Sequence, residues 1–294
     1  MARTKAIVGP GKPPLPRGNK LKARRVRAPS VRTLTVPPPL PPLPHLPPHA
    51  FVDVDTGLIH VQPAHGGQPH HAPGIRRALA AALWPHYSHA IARQRARPGR
   101  SGSCVAEGLR VEAGIAAHMA ALRDGTPAPP LRHRYERAFV DWATQAGLTF
   151  AGAQLPLYDP TTGIATRIDL LLYDAAAHAA GRAPYVLAEL KTGLAEPDLA
   201  QGRMRSAAGD PALSAWACTP RNQAYAQLAW MRAVAREHHG FDVRGVLAIL
   251  NDRTIKLKRG PVRELPPAIA ALEGALMHAV ALQTEAEARM RGAH

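Results

Sequence analysis

The chain has 294 residues, of which 37 are Lys or Arg and 21 are Asp or Glu, so that its formal net charge is +16. No apolar run reaches the roughly 18 residues that cross a bilayer, and two cysteines are too few for a disulfide scaffold or a Cys-rich zinc site. We therefore expect an intracellular protein of a reducing compartment, with no membrane partner, no secretory signal and one sizeable core.

The first fifty residues differ from the rest, since they contain ten Lys or Arg, no acid and thirteen prolines. Proline fixes φ and removes backbone donors, so we expect residues 1–50 to form a disordered, Pro-rich basic tail. Its charge indicates a polyanion such as DNA, or a solubilising or targeting role. The run Lys20–Arg27 is typical of a nuclear address or a phosphate-binding arm. The polyproline run favours a protein partner.

Residues 51–74 carry several histidines among Gly and Pro, and we expect a linker or a His-rich loop there. The globular domain is expected to span residues 75–294. It opens with apolar residues at helical spacing, and Gly147 is a C-terminal helix signal. The spacing predicts three helices, over Ala78–Ala92, Ser103–Leu122 and Leu131–Ala146.

The hydrophobic period then changes from helical to two-residue, which is typical of strands. Thr219-Pro220 is a helix start signal, because it combines a capping residue with proline at the first helical position. This order of elements predicts a mixed α/β domain with a central mixed β-sheet flanked by helices. The predicted strands are Leu148–Tyr158, Thr166–Tyr173, Tyr185–Lys191, Phe241–Leu250 and Thr254–Lys258, and the remaining helices run from Thr219 to about His238 and over Pro266–Arg291.

Acidic residues and a lysine occupy two neighbouring predicted strands, at Asp169 and in Glu189-Leu190-Lys191. Side chains two apart share a strand face, so Glu189 and Lys191 project together while Leu190 points into the core. If the strands form a hairpin, Asp169 approaches Glu189. Two carboxylates with an intervening backbone carbonyl suit Mg²⁺ or Mn²⁺. The cation would polarise a phosphodiester, and Lys191 would orient or deprotonate the attacking water.

Lysine is rare in this chain, and its rarity bears on the role of Lys191. The chain has seven lysines, and Lys191 is the only one between residues 23 and 255, although arginine occurs throughout. A lysine kept in a buried strand of an Arg-rich sequence indicates a need for a compact amine that can release a proton. The alternative is an exposed charge pair at the strand end, formed by Glu189 and a neighbour.

The arrangement of these residues resembles the PD-(D/E)xK nuclease superfamily, and within it the RecB-like and viral recombination exonucleases. The matching residues are Asp169 and, 20 positions later, Glu189-Leu190-Lys191. Ile168 stands where the proline of the family name would be, a departure that many members share. The resemblance implies a restriction-endonuclease-like core and Mg²⁺- or Mn²⁺-dependent cleavage of phosphodiester bonds.

Flanking motifs extend the resemblance over residues 103–250. Gly108-Leu-Arg-Val-Glu112 resembles the helical Gly-x-x-x-His/Glu motif of RecB-like members, and Gln223-Ala-Tyr-Ala-Gln227 is a near match for Gln-x-x-x-Tyr. By this resemblance the chain would act on DNA in recombination, repair or replication. The implied metal ligands are Asp169, Glu189, the Leu190 carbonyl and Glu112, and the implied catalytic residues are Asp169, Glu189, Lys191, Gln223 and Gln227.

The residues themselves leave alternatives at the flanking positions. Glu112 interrupts an apolar helix stripe and needs a cation or a hydrogen-bonding partner, but a partly exposed pairing with an arginine serves equally. Glu136 on the next helix is the rival acid. Gln223 and Gln227 share one helix face, where their amides bind a ligand or a catalytic carboxylate, or are ordinary core amides.

Three functions are therefore compatible with the sequence. They are a metal-dependent deoxyribonuclease, a catalytically silent nuclease-fold protein that binds nucleic acid, and a proline-rich interaction protein. A Gly-rich phosphate loop with a Gly-Lys-Ser/Thr ending is absent from the sequence, which argues against an ATPase or helicase. Exonuclease and endonuclease action, DNA and RNA substrates, and any oligomeric state are compatible with the same motifs.

Overall fold

A computed structural model describes residues 50–52, 59–62, 68–84, 101–192, 203–204, 210–251 and 261–292. The expected basic tail lies outside the described residues except for Ala50. The predicted strand Thr254–Lys258 and the second half of the first predicted helix also lie outside them. None of the helices in the described ranges has the length and apolarity needed to span a membrane.

The described residues form short N-terminal strands followed by a longer run of helices and strands. In chain order the elements are β1 Ala50–Val52, β2 Ile59–Val61, β3 His70–His71, α1 Ile75–Leu83, α2 Ser101–Arg123, α3 Arg134–Gln145, β4 Leu148–Asp159, β5 Ile164–Asp174, α4 Ala175–Ala179, β6 Tyr185–Thr192, α5 Pro211–Ser214, α6 Pro220–His239, β7 Val243–Leu250, β8 Val262–Glu264, α7 Pro267–Ala270 and α8 Glu273–Gly292.

The main sheet has five strands in the order β4-β5-β6-β7-β8. Strand β5 pairs antiparallel with β4 and with β6, β6 pairs parallel with β7, and β7 pairs antiparallel with β8. A parallel pair needs a crossover connection, and α6 lies between β6 and β7 in the chain. The mixed α/β fold with a mixed sheet is thereby confirmed.

Helices cover both faces of this sheet. On one face α1, α6 and α8 enclose a core that includes Trp230 and Leu187. On the other face α2 and α3 pack over a second core that includes Phe139 and Leu172. Because both faces are buried, the central strands are apolar almost throughout, as is typical of sheets between helical layers.

Capping residues set the ends of α3 and α6. Thr219 accepts a hydrogen bond from the Asn222 N–H, and Gly240 ends α6 with φ +67°, so the predicted helix is confirmed. Helix α3 begins three residues later than the predicted Leu131. The reason is a capping box, in which His133 accepts from the Tyr135 N–H while Glu136 accepts from the His133 N–H.

Residues 51–74, expected as a linker or His-rich loop, contain paired strands in their described part. Strands β1, β2 and β3 form a small antiparallel sheet. Ile59 and Val61 alternate onto one buried face and pack with Ala165 of β5. The Ala165 N–H also donates to Pro73 O at 2.9 Å. The folded unit therefore begins before residue 75.

The predicted closing helix is interrupted, because α7 ends at Ala270 and α8 begins at Glu273. Glu273 is buried, and its Oε2 accepts a hydrogen bond from Arg236 Nη1 at 2.8 Å. Arg232 Nη1 lies 3.2 Å from its Oε1. These ion pairs to α6 fix the first turn of α8. Because the partners are distant in sequence, the hydrophobic period carries no signal of the break.

Candidate active site

Asp169 and Glu189 lie on adjacent antiparallel strands. The register pairs Leu170 of β5 with Ala188 of β6, and its extension by one residue sets Asp169 opposite Glu189. The Leu190 N–H donates to Asp169 Oδ2 at 2.8 Å, which ties the Asp169 carboxylate to β6. The structure therefore brings the two predicted carboxylates together at the end of a hairpin-like pair.

Glu189 and Lys191 form an ion pair along β6. Lys191 Nζ donates to Glu189 Oε1, with the Glu189 side chain 1% exposed and that of Lys191 18% exposed. Leu190 between them packs into the core under α2 and α3, as predicted. The pair is thus largely buried, unlike the exposed strand-end pair that was the alternative.

Helix α2 brings a third carboxyl group to this pair. The helix packs against β4 and β6. Gly108 lies so close to β6 that a Cβ there would stand 2.8 Å from Thr192 Oγ1. Glu112 follows one helical turn later on the same side of α2. The Gly-x-x-x-Glu spacing therefore has a packing reason, because the glycine permits the close approach that carries Glu112 toward the site.

Among the described residues, the site has more carboxyl groups than cationic side chains. Burial raises the pKa of Glu112 from 4.5 to about 7, and the Glu189 carboxylate adds to this rise while Arg167 and Lys191 oppose it. Burial, and then the charges of Glu189 and Glu112, raise the pKa of Asp169 well above its usual range, against Lys191 and the Leu190 N–H. Three carboxyl groups thus share two cationic side chains.

These residues fit a divalent cation. Glu112 Oε1 and Glu189 Oε2 are buried and have no hydrogen-bond partner among the described residues. Buried carboxylate oxygens without a donor are costly, and hard oxygen ligands are what Mg²⁺ and Mn²⁺ prefer. Nevertheless, within the described ranges no three His, Cys, Asp or Glu side chains form a group that could hold a metal ion. The fit therefore depends on Asp169 and Glu189 together with backbone or other neutral oxygens.

The two glutamines of α6, Gln223 and Gln227, form hydrogen bonds with sulfur atoms. Gln223 Nε2 donates to Cys218 Sγ at 3.3 Å, and Gln227 Nε2 contacts Met231 Sδ at 3.9 Å. Among the described residues, no hydrogen bond joins either amide to a carboxylate of the site. Gln227 is buried within the helix packing. The geometry therefore favours the interpretation of both residues as ordinary core amides.

Glu136, the rival acid, has a structural role. It is buried, and its Oε2 accepts hydrogen bonds from the backbone N–H groups of Arg132 at 2.6 Å and His133 at 2.9 Å. Both of these donors lie at the start of α3, where backbone N–H groups otherwise lack partners. Of the two helix-borne acids, Glu112 is the one whose charge acts on Asp169.

Arg167 is the site residue that sequence reasoning missed. It lies on β5 two residues before Asp169, pairs in register with Pro156 of β4, and is partly buried. Its charge is the largest influence that lowers the pKa of Glu112. Arg167 could have been identified from the sequence, because it is a cation two residues from the candidate Asp169.

No protein-family model matches this chain, and comparison with curated protein sequences gives no match.

Proposed function

We propose that this protein is a divalent-cation-dependent deoxyribonuclease with a PD-(D/E)xK-type core. The observation that carries the proposal is the position of Asp169 opposite Glu189, with Lys191 paired to Glu189 on the same strand. The five-stranded mixed sheet between helical layers is compatible with a restriction-endonuclease-like core. A role in DNA recombination, repair or replication is part of the same proposal.

Each residue then has a role that its surroundings support. Asp169, Glu189 and the Leu190 carbonyl would hold Mg²⁺ or Mn²⁺, and Glu112 would add negative charge beside them. When bound, the cation supplies Lewis acidity at the phosphodiester. Lys191 is held at the site by Glu189, where its Nζ can orient a water or take a proton from it.

The charge of the chain favours a nucleic acid as the substrate. The net charge is +16, and ten of the cations occupy the first fifty residues without any acid. A basic segment of this kind binds phosphates through counterion release, independently of base sequence. We propose that residues 1–49 strengthen DNA binding and that their removal makes the affinity less dependent on salt.

A catalytically silent DNA-binding protein is the second candidate. It is supported by the hydrogen bonds that already occupy one oxygen of Asp169 and one of Glu189. In this alternative the carboxylates and Lys191 form a structural cluster, and binding proceeds without cleavage.

Cleavage of labelled DNA measured at increasing Mg²⁺ and Mn²⁺, with DNA binding followed in parallel, separates the two candidates. We expect cation-dependent cleavage that chelator abolishes. The Asp169→Asn variant should lose at least about 100-fold in rate while keeping its DNA affinity. Asp141→Asn, which removes an exposed acid from α3, is the matched control and should cleave at the parental rate.

Binding without cleavage under every cation condition would favour the silent alternative. Cleavage that persists unchanged in chelator would refute a cation-dependent mechanism. Comparison of linear with circular DNA then distinguishes exonuclease from endonuclease action, and a labelled RNA of the same sequence tests the choice of nucleic acid.

A further inference from the structure

A glutamine on β4 lies opposite Asp169. The register pairs Ala153 with Leu170 and Leu155 with Ile168, so Gln154 stands across from Asp169 between these two pairs. Gln154 and Glu189 therefore flank Asp169 from the strands on either side of it.

Gln154 has an unusual backbone conformation. Its φ is +54°, and it is the only non-glycine residue with positive φ in the described part of the chain. It stands inside a strand rather than in a turn. Glutamine gains nothing from this left-handed region, whereas glycine or asparagine would occupy it at lower cost. Strain of this kind at a bulky residue points to a role for its side chain.

The side chains of both strands switch from one face of the sheet to the other at this pair. Leu170 belongs to the core under α2 and α3, with Ala153 packed against that core. Leu155 and Ile168, two residues further along each strand, pack with the opposite core. The alternation of side chains is therefore broken at Gln154 and Asp169, which lie between a strand pair of one core and a strand pair of the other.

The amide oxygen of Gln154 has no hydrogen-bond partner among the described residues. Four buried side-chain oxygens in the described residues have no hydrogen-bond donor. One of them, Glu273 Oε1, has Arg232 Nη1 at 3.2 Å. The other three are Glu112 Oε1, Gln154 Oε1 and Glu189 Oε2, so that every remaining orphan oxygen belongs to Asp169's neighbourhood.

We propose that Gln154 is a further ligand of the site, whose amide oxygen binds the divalent cation together with Asp169 and Glu189. This inference rests on the proposed function, because it assumes that the site takes a divalent cation. An amide oxygen is a hard, neutral ligand of the kind that Mg²⁺ and Mn²⁺ accept. It adds a cation ligand without adding another carboxylate, and it accounts for both the strained backbone and the unpartnered oxygen.

The test is calorimetric titration of the full chain with MnCl₂, accompanied by thermal melting. Gln154→Met removes the amide oxygen. It keeps a side chain of similar length and leaves the strained backbone conformation at residue 154 in place. Gln154→Gly removes the oxygen and relieves the strain. We expect both variants to bind Mn²⁺ at least about 10-fold more weakly, and Gln154→Gly to melt at or above the parental temperature. Gln145→Met, at the exposed end of α3, is the control.

Two outcomes overturn the inference, and they differ from each other. If the parent binds Mn²⁺ and both Gln154 variants bind it equally well, Gln154 is not a ligand while the proposed function stands. If the parent binds no Mn²⁺, the proposed function fails and this inference fails with it. Should Gln154→Met fold poorly, Gln154→Gly alone decides, because glycine is favoured at this φ.

Discussion

Gly108 and Thr192 face each other where α2 approaches the end of β6, and a Cβ at residue 108 would stand 2.8 Å from Thr192 Oγ1. Real Cβ atoms do not approach other atoms so closely, so a side chain at residue 108 would require Thr192 or the helix to move. Glu112 follows one turn later, and its charge acts on both Asp169 and Glu189. The contact between a glycine and a threonine thus sets the position of a charged group.

Substitution of Gly108 by alanine should displace α2 from β6. We expect Gly108→Ala to lower cleavage by about 10- to 100-fold, since a small misplacement of a charged group is costly. The double variant Gly108→Ala/Thr192→Ala removes the obstructing hydroxyl and should recover most of the rate. It should also be more stable than the parent by up to about 1 kcal/mol, because alanine favours helix. A single variant that is as active as the parent would contradict this account.

Lys191→Arg should be severely impaired although it retains the charge. Arginine cannot give up its proton, and its wide planar head cannot replace a compact ammonium beside Glu189. Single-turnover cleavage at saturating Mg²⁺, together with a melting curve, measures the effect. A purely structural ion pair tolerates arginine with less than about 1 kcal/mol lost. Parental cleavage by a normally melting Lys191→Arg variant would make Lys191 a structural charge.

Without divalent cation, the protein should lose stability as the pH rises. Glu112 has its pKa raised from 4.5 to about 7, so the folded chain binds more protons than the unfolded chain between these values. The free energy of unfolding therefore falls across this window, and Asp169, whose pKa is also raised, acts in the same direction. Allowing for the partial exposure of Glu112, its share is on the order of 1–2 kcal/mol.

Glu112→Gln should flatten this pH dependence, because the neutral amide does not titrate. Melting temperatures at about pH 5.5 and about pH 8 compare the variant with the parent. Mg²⁺ should raise the parental melting temperature more at the higher pH, where it replaces the missing protons as the neutralising charge. If the parent melts at the same temperature at both pH values without cation, the raised pKa of Glu112 is refuted.

Replacing Glu112 and Glu136 by alanine, one at a time, should affect cleavage and stability in opposite ways. Glu136→Ala removes the acceptor of two backbone N–H groups at the start of α3 and should cost about 1 kcal/mol or more of stability. Its cleavage rate per folded molecule should stay parental. Glu112→Ala should show the opposite pattern, with reduced cleavage and a melting temperature no lower than the parent's above about pH 7. Reversed results would exchange their roles.

Local spacing alone was enough to place much of this protein. The period-two pattern located β4, β5, β6 and β7 to within a few residues, and Thr219-Pro220 located the start of α6. The same alternation set Glu189 and Lys191 on one face, with Leu190 in the core. These features depend only on the geometry of a single strand or helix, which neighbouring residues in the chain decide.

The tertiary structure decided which of the candidate residues meet. Glu112 and Glu136 are equivalent in sequence terms, and only the approach of α2 to β6 and the cap of α3 tell them apart. Gln223 and Gln227 share the predicted helix face, but that face packs against sulfur atoms rather than the carboxylates.

Gln154 stands across from Asp169 through strand register, which the sequence by itself does not specify. The charge, helices α2, α3 and α6, strands β4 to β7 and the Asp169/Glu189-x-Lys191 pattern follow from the sequence, because each is a property of residues close together in the chain. The shape of the site follows from packing, because it joins residues from one helix and two strands whose relative positions depend on the burial of two cores.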